Sequence, residues 1–262
     1  MKVLITGGAG FIGCNLADYH LNRCDEVIVF DNLSREGAKK NLKWLHEKHN
    51  SVKFDQGDVR DYERLCDTIS ADLDRVYHMA GQVAVTTSVQ DPREDFEVNA
   101  LGTLNVLEAV RTCAPEAMLF YASTNKVYGK MEDIQVVEKQ TRYDYKNQPY
   151  GISESQPLDL HSPYGCSKGS GDQYVRDYAR IYGLRTVVFR QSCIYGTRQF
   201  GVEDQGWVAH FCIAVHMGRP ITIYGDGKQV RDLLWIEDLI QAYQNAAERI
   251  DISAGKIYNI GG

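Results

Sequence analysis

Tyr164 and Lys168 are the two residues of this sequence whose types and spacing could most directly do acid–base chemistry. They follow Ser162 and Pro163, a candidate N-cap and a first-turn proline, so we predict a helix that carries both side chains on one face. An ammonium close to a phenol favours the phenolate and lowers the tyrosine pKa from its ordinary value of about 10. Such a tyrosine is a general base for a hydroxyl group. The same spacing also occurs as a surface pair on an amphipathic helix, so the rest of the chain must decide.

The composition of the 262 residues, 44% of them hydrophobic, allows one large domain or one domain with a small lobe. The net charge of -6 shows no basic excess, which argues against a nucleic-acid partner. No apolar run approaches the length of a membrane helix, and the opening MKVLITGG does not resemble a signal peptide. We therefore expect a cytoplasmic protein without a membrane partner.

Seven cysteines, an odd number without a CxxC motif, predict free and mostly buried thiols in a reducing compartment. Among the histidines only His46 and His49 lie close together, and they fall on a charged segment. We expect no metal site.

The amino terminus has the pattern of a dinucleotide-binding βαβ unit. A short apolar strand, Lys2–Thr6, leads into three spaced glycines and a helix, and a second β-branched run ends at Asp31. The glycines permit a tight turn and let a pyrophosphate approach the amino terminus of the helix. Asp31 would accept hydrogen bonds from the adenosine ribose and repel a 2′-phosphate. This pattern predicts NAD as the cofactor, and a merely tight βα turn is the alternative.

Further segments with the composition of strands, separated by helices, cover 52–56, 75–78, 118–121 and 185–190. They predict an α/β fold, a doubly wound parallel (Rossmann-type) sheet with ligands at the carboxyl ends of its strands. Those ends carry, in sequence order, Gly7, Asp31, Asp58, Ala80 and Thr124. We expect them along one crevice beside the Tyr164 helix. Asp58 could reach an adenine amino group there, or cap the helix that follows it.

A long helix is predicted from Asp91-Pro92 to Cys113, with Asn99 near its apolar stripe and bonded to neighbouring backbone. The stripe consists of Phe96, Ala100, Leu104, Leu107 and Val110. The polar and aromatic segment 130–161 has the length of a lid or binding loop, with a loose surface insertion as the alternative.

The last part of the chain predicts a helix over 204–217, short strands over 221–224 and 229–233, a helix over 238–250 and a strand over 256–260. We divide the chain into a dinucleotide-binding domain, 1–190, which carries the catalytic residues, and a smaller carboxyl-terminal substrate lobe, 191–262, interleaved with it.

The motifs TGGAGFIG and HMAG, Thr124 at a strand end and the YxxxK pair together resemble the extended short-chain dehydrogenase/reductase family. Its nucleotide-sugar epimerases and dehydratases are the most similar group. The resemblance implies that Tyr164 is the base, that Lys168 lowers its pKa and binds the nicotinamide ribose, and that Thr124 bonds the sugar oxygen. The segments STNKVYG, HSPYGCSKG and DQGWV, with Arg198-Gln199, resemble the branch that inverts carbon 2 of CDP-linked sugars.

The resemblance also implies the binding residues. Those for NAD are Gly7, Gly10, Phe11, Ile12, Gly13, Asp31, Asn32, Ser34, Arg35, Asp58, Val59, Ala80, Gln82, Asn99, Ser123, Tyr164 and Lys168. Those for the CDP-sugar are Ser88, Thr124, Asn125, Gln191, Arg198, Gln205, Tyr224 and Arg231. Arg231 would bind the diphosphate, or else form an ion pair with Asp232 or Glu237. A homo-oligomer and further residues after Gly262 are also implied.

Asn125-Lys126 stand where the dehydratases of this family place an Asp-Glu pair, so loss of the carbon-6 hydroxyl has no obvious general acid. We therefore expect epimerisation at carbon 2 by transient oxidation to a 2-ketosugar. A 4-epimerase or dehydrogenase of another nucleotide sugar is one alternative. A catalytically silent regulator that senses the dinucleotide is another, and the intact set of Thr124, Tyr164 and Lys168 argues against it.

Overall fold

A seven-stranded parallel sheet forms the centre of the protein, in a computed structural model that describes residues 1–262. The strands are β1 (Lys2–Thr6), β2 (Glu26–Asp31), β3 (Lys53–Gln56), β4 (Arg75–His78), β5 (Met118–Thr124), β6 (Val136–Glu138), β7 (Tyr143–Tyr145), β8 (Arg185–Gln191), β9 (Cys193–Tyr195), β10 (Leu233–Trp235) and β11 (Ile257–Ile260). The order of the central sheet is β11-β8-β5-β4-β1-β2-β3, and every pair in it is parallel. The predicted doubly wound α/β fold is confirmed.

Helices cover both faces of this sheet. They are α1 (Phe11–Asn22), α2 (Glu36–Lys48), α3 (Tyr62–Thr68), α4 (Val85–Gln90), α5 (Pro92–Phe96), α6 (Gly102–Cys113), α7 (Ser162–Tyr182), α8 (Trp207–His216), α9 (Ile236–Glu248) and α10 (Ile250–Ser253). Successive side chains of a strand point to opposite faces. Val3 and Ile5 therefore join a core with α1 and α9, whereas Leu4 between them packs in a second core with α3, α6 and α7.

The strand order brings the predicted ligand-binding ends together. Thr6 at the end of β1 pairs with Phe30 of β2 on one side and with His78 of β4 on the other. The chain thus proceeds from β1 to β3 in one direction and resumes at β4 on the other side of β1. Such a reversal point is where doubly wound sheets open a crevice for a ligand. The five strand ends named from the sequence lie side by side along this edge.

The chain leaves the sheet after β8 and later returns to it. β9 and β10 form a separate parallel pair, and α8 lies between them in sequence. α9 then packs on the sheet through Leu239 and Tyr243, and β11 pairs with β8. The residues from Ile236 onward therefore pack with the dinucleotide-binding unit, and the excursion between β8 and α9 lies outside the central sheet.

The predicted long helix is interrupted, because residues 97–101 form a π turn between α5 and α6. The wider turn changes which face the preceding residues present. As a result Phe96, predicted in the buried stripe, is 57% exposed, whereas Ala100, Leu107 and Val110 are buried as predicted. Near the carboxyl terminus no strand forms over 221–224, and only the last residue of the predicted strand 229–233 belongs to β10.

The cysteines are free, as predicted, but only Cys14 is buried, and Cys24, Cys166 and Cys212 are exposed. The prediction of mostly buried thiols was wrong, because several of them lie on the outer faces of helices. None of the helices combines the length and the apolar character that crossing a bilayer requires.

The segment before α7 is tied to the body of the protein at several points. It contains an antiparallel hairpin of β6 and β7 and then runs without regular structure to α7. The Asp159 N–H donates to the Val127 carbonyl at 3.1 Å, and the Asn259 amide donates to the Ile152 carbonyl at 2.8 Å. These bonds are not those of a loose insertion.

A buried ion pair joins α7 to β8. Arg190 donates from Nε and Nη2 to the two carboxylate oxygens of Asp172, at 2.9 and 2.8 Å, and neither side chain is more than 3% exposed. Asp172 also accepts a bond from the Ser123 hydroxyl at 2.7 Å, and Arg190 donates to the Tyr128 hydroxyl at 2.9 Å. A two-pronged, fully bonded pair of this kind fixes the position of α7, and hence of Tyr164, against the strands.

We expect Asp172→Asn to lower the free energy of unfolding by about 3 kcal/mol or more, because it leaves the guanidinium of Arg190 buried without a counter-charge. The matched control is Asp177→Asn, on the same helix but 57% exposed, which should change stability by less than about 0.5 kcal/mol. Urea denaturation of both variants measures this difference. Equal stability of the two variants would contradict the structural role given to the ion pair.

Candidate active site

The glycine-rich turn after β1 is packed too closely to hold side chains. Gly7 has φ +66°, and a Cβ there would lie 2.6 Å from the backbone nitrogen of Ala80. A Cβ on Gly13 would lie 2.2 Å from the carbonyl oxygen of Gly7. Gly10 precedes α1 in an extended conformation, and no side chain caps the first turn of that helix. The first N–H groups of α1 are therefore left for an external acceptor such as a pyrophosphate.

Asp31 places a buried carboxylate at the neighbouring strand end. Its Oδ2 accepts from the Ala9 N–H at 3.1 Å and its Oδ1 from the Leu33 N–H at 2.8 Å. Burial raises the pKa of Asp31, and these two backbone donors oppose the rise. Each oxygen keeps a second acceptor site, which is what the two hydroxyl groups of a ribose would need.

The residues next to Asp31 are bonded mainly to each other. Asn32 donates to Asp58 at 2.8 Å, and Asp58 accepts a two-pronged contact from Arg60 at 2.9 and 2.7 Å. Arg60 and Asn32 together hold the pKa of Asp58 at about 2. Asp58 also accepts from the Arg60 N–H within the loop, but the cap of α3 is Asp61, which accepts from the Arg64 N–H at 3.0 Å. The alternative role of Asp58 as a helix cap is therefore wrong, and its binding of adenine stays a prediction. The Ser34 N–H donates to the Asn32 side chain, Arg35 stands at the amino end of α2, and Val59 is buried in the second core.

Tyr164, Thr124 and Lys168 converge at the end of β5. Tyr164 and Lys168 lie on α7 as predicted, and all three side chains are buried, with at most 9% exposed. The helix begins at Ser162, one residue earlier than predicted. The Ser162 hydroxyl still accepts from the Gly165 N–H in the first turn, at 3.2 Å. Two candidate catalytic groups on one helix therefore face a hydroxyl on the neighbouring strand.

The predicted lowering of the tyrosine pKa is wrong for the protein alone. Burial raises the pKa of Tyr164 to about 12, opposed by the hydrogen bond to Thr124, because the phenolate loses its hydration inside the protein. Burial also lowers the pKa of Lys168 to about 7, although the carboxylates of Asp172 and Asp95 raise it. The Lys168 ammonium lies 4.2 Å from the centre of the Tyr121 ring.

A polar network behind Lys168 was not predicted from the sequence. Asp95 is fully buried and accepts from the Ser167 hydroxyl, from Asn99 at 3.1 Å and from Gln82 at 3.1 Å. Burial raises the pKa of this carboxyl group. Asn99 lies in the π turn, where it also donates to the Gln82 carbonyl, as predicted for a bond to neighbouring backbone. Its amide oxygen is buried without a partner, so it can accept from a ligand.

One signal in the sequence could have found part of this network. Asp172 follows Lys168 by four residues, just as Lys168 follows Tyr164, so helical spacing puts all three on one buried face. Asp95 gives no comparable signal, because its position depends on the π turn that follows it. His78 is also buried, bonded through both ring nitrogens to Thr6 and Thr103, and burial holds its pKa at about 3, so it stays neutral.

The side chains of four predicted site residues are engaged by other groups of the protein. Ser123 donates to Asp172, Ser88 donates to the Val85 carbonyl of its own helix at 2.7 Å, and Gln191 donates to the Tyr243 hydroxyl in the core. Arg198 lies with its guanidinium 4.9 Å from the centre of the Trp44 ring on α2. In each case another group of the protein binds the polar side chain. Most of these partners are distant in sequence, so the sequence could not reveal them.

The other predicted substrate residues lie on exposed segments. Asn125 directly follows β5 and is exposed, and Gln205 pairs with Val202 through the backbone. Tyr224 is exposed and donates to Glu203 at 2.9 Å. Arg231 is also exposed, and it forms neither of the ion pairs considered as its alternative role. Its guanidinium is free to bind an anion.

These observations fit a dinucleotide. Four features lie on one strand-end edge or directly behind it. They are the closely packed glycine turn, the uncapped first turn of α1, the acceptor oxygens of Asp31 and the unpartnered amide oxygen of Asn99. The turn and α1 would hold the pyrophosphate, Asp31 the adenosine ribose, and Lys168 with Tyr164 the nicotinamide ribose.

Comparison with known proteins agrees with this geometry. The family model "NAD dependent epimerase/dehydratase family" matches residues 3–261. CDP-paratose 2-epimerase of Salmonella typhi is 51% identical over all of this chain and 79% of its own length. UDP-glucose 4-epimerase of Thermus thermophilus, solved with NAD, has a TM-score of 0.81 at 36% identity. The match covers 100% of this chain and 78% of the epimerase. A dTDP-glucose 4,6-dehydratase of Streptomyces venezuelae, also solved with NAD, has a TM-score of 0.82 at 29% identity. The match covers 100% of this chain and 76% of the dehydratase. The chain belongs to the NAD-dependent epimerase/dehydratase family.

Proposed function

We propose that this enzyme inverts carbon 2 of a CDP-linked deoxyhexose through a transient 2-ketosugar. The observation that carries the proposal is the buried set of Thr124, Tyr164 and Lys168, which faces the dinucleotide edge on an epimerase scaffold. The choice of carbon 2 and of cytidine is supported by the 51% identity to the Salmonella typhi enzyme. NAD supplies the reversible oxidation of an alcohol at this site.

The chain's own residues supply the proton chemistry. Tyr164 takes the proton of the reacting hydroxyl, and Thr124 holds the sugar oxygen beside it. Because burial opposes the phenolate, the tyrosine needs a positive group nearby when it ionises, and Lys168 is the adjacent cation. Asp172 and Asp95 raise the pKa of Lys168 and so favour its charged form. Asn125-Lys126 offer no carboxylic acid for removal of a second hydroxyl, which supports epimerisation over dehydration.

The substrate side of the site would be built on the excursion between β8 and α9. Arg231 is the proposed ligand of the diphosphate, because an unpaired guanidinium binds phosphate oxygens with two parallel hydrogen bonds. Asn125, Gln205 and Tyr224 are proposed to contact the rest of the substrate.

A homo-oligomer is part of the proposal. Tyr174, Ile181 and Tyr182 expose apolar surface along α7, at 47%, 65% and 52%, and Leu101 before α6 adds to it at 37%. Apolar residues in such a row are typical of an interface. The mass in solution, measured by sedimentation equilibrium, tests this, and a monomer at all concentrations would contradict it.

The cofactor preference tests Asp31. We expect the cofactor-free protein to bind NAD about tenfold or more tightly than NADP, because the carboxylate repels a 2′-phosphate. Asp31→Ala should bring the affinities for NAD and NADP closer together, as measured by fluorescence titration. Asp58→Ala is the matched control, since its carboxylate is already bonded to Arg60 and Asn32, and it should keep the preference. A wild-type protein with equal affinities would refute the role of Asp31.

The base is tested by Tyr164→Phe. This change should reduce kcat by a factor of about 100 or more while NAD and CDP remain bound, because only the ionisable oxygen is removed. Thr124→Ala should slow turnover less. Tyr62→Phe, at an exposed position on α3, serves as the control and should be fully active. A Tyr164→Phe enzyme with ordinary turnover would rule out this mechanism.

The fate of the hydrogen at carbon 2 tests the reaction itself. In the starting sugar this carbon bears a hydroxyl and has no neighbouring carbonyl, so its hydrogen is not acidic and direct deprotonation meets a high barrier. We therefore expect a CDP-linked 2-epimer formed in deuterium oxide to keep protium at carbon 2, as read by mass spectrometry and NMR. Solvent deuterium at carbon 2 in every turnover would overturn the oxidation route. Turnover of UDP-glucose in place of CDP-sugars would overturn the proposed substrate while leaving the oxidation route intact.

A further inference from the structure

A second cavity lies behind α7, apart from the strand-end crevice. It has a volume of about 550 Å³, is open to solvent, and is bordered by α7, the start of β11 and the segment before α7. Its walls include Gln173, Arg176 and Arg180 of α7, Lys256 beside β11, and Glu154 and Gln156 of the preceding segment. None of these residues belongs to the NAD or sugar sites described above.

The cavity carries an excess of positive charge. Arg176 and Lys256 form no ion pair, and the only carboxylate near Arg180 is the exposed Asp177, at 4.0 Å, a contact worth little in water. Arg190 also lines the cavity, but Asp172 balances its charge. Glu154 is the one acidic residue in the wall, and one of its carboxylate oxygens accepts from the Asn259 N–H. Three cations therefore face one acid.

The spacing of these cations suits phosphate groups. Arg176 and Arg180 are one helical turn apart, so their Cβ atoms lie about 5–6 Å from each other on one face of α7. Because both side chains leave the same face of α7, their guanidinium groups can each bind a separate pair of phosphate oxygens, and Lys256 beside β11 adds a third donor. The cavity's inner wall is firm, because Gln173 donates to Asp172 at 2.8 Å within the buried ion pair.

The size and the polarity of the cavity indicate the class of ligand. Small-molecule sites commonly have volumes of about 300–1,000 Å³. Only two of the eleven lining residues are hydrophobic, so an apolar ligand would find little to contact. We propose that this cavity binds a phosphorylated small molecule through a diphosphate group held by Arg176, Arg180 and Lys256.

Inorganic pyrophosphate is the probe that tests this site. Isothermal titration of the NAD-saturated protein, without divalent metal, should show saturable binding of one pyrophosphate at this cavity. The double variant Arg176→Gln/Arg180→Gln should weaken that binding by about tenfold or more, since hydrogen bonds between charged groups are lost. The matched control is Lys39→Gln/Lys43→Gln, which removes two exposed cations at the same spacing from α2, and it should bind as the wild type does.

A third variant separates this cavity from the active site. Arg231→Gln removes the proposed diphosphate ligand of the crevice, and binding at the cavity should survive it. Loss of binding in Arg231→Gln but not in the α7 double variant would place the pyrophosphate in the crevice and overturn the proposal. No saturable binding would also overturn the proposal. Equal losses of affinity in the α7 and α2 double variants would overturn it too, because they would show that general positive charge is the only attraction. Unchanged melting temperatures of the variants establish that each has folded.

Discussion

The charge of Lys168 is the constraint on which the active site depends. A lysine that is 6% exposed has lost most of its water, and an isolated ammonium in such surroundings costs several kcal/mol. The protein offsets this cost with the carboxylates of Asp172 and Asp95, which lie close enough to raise the lysine pKa. Asp172 in turn shares its charge with Arg190. The helix α7 is thus held in place by the same buried charges that favour the charged form of Lys168.

The polar network around Asp95 follows from the π turn at residues 97–101. That turn directs the Asn99 side chain toward Asp95, Gln82 and Ser167. A buried carboxylate with several donors is kept at a defined position, whereas one without them would take up a proton or draw in water. The interruption of the helix therefore has a consequence for the site: it gives Asp95 its donors, at the cost of exposing Phe96 on the opposite side.

The dinucleotide edge and the sugar side of the site are built in different ways. The edge consists of strand ends fixed by the register of the sheet, and a single added Cβ at Gly7 or Gly13 would collide with backbone. The excursion between β8 and α9, where we propose the sugar side, carries exposed side chains such as Arg231 and Tyr224. Relatives at 29–36% identity share this fold while their names specify 4-epimerisation or dehydration, so the fold alone does not fix the reaction.

The sequence was sufficient to predict the parallel sheet, the NAD cofactor and the candidate pair of Tyr164 and Lys168. Each of these depends on local signals: glycines at fixed spacing before a helix, an acid at the next strand end, and two side chains one helical turn apart. Tertiary structure alone decided the tyrosine pKa, because burial raises it and a spacing cannot report how much water is excluded. It also decided that the Ser123 and Gln191 side chains donate to Asp172 and Tyr243. The Arg198 guanidinium likewise lies over the Trp44 ring, which is distant in sequence. A side chain binds the partner that folding brings nearest, and that partner is often distant in sequence.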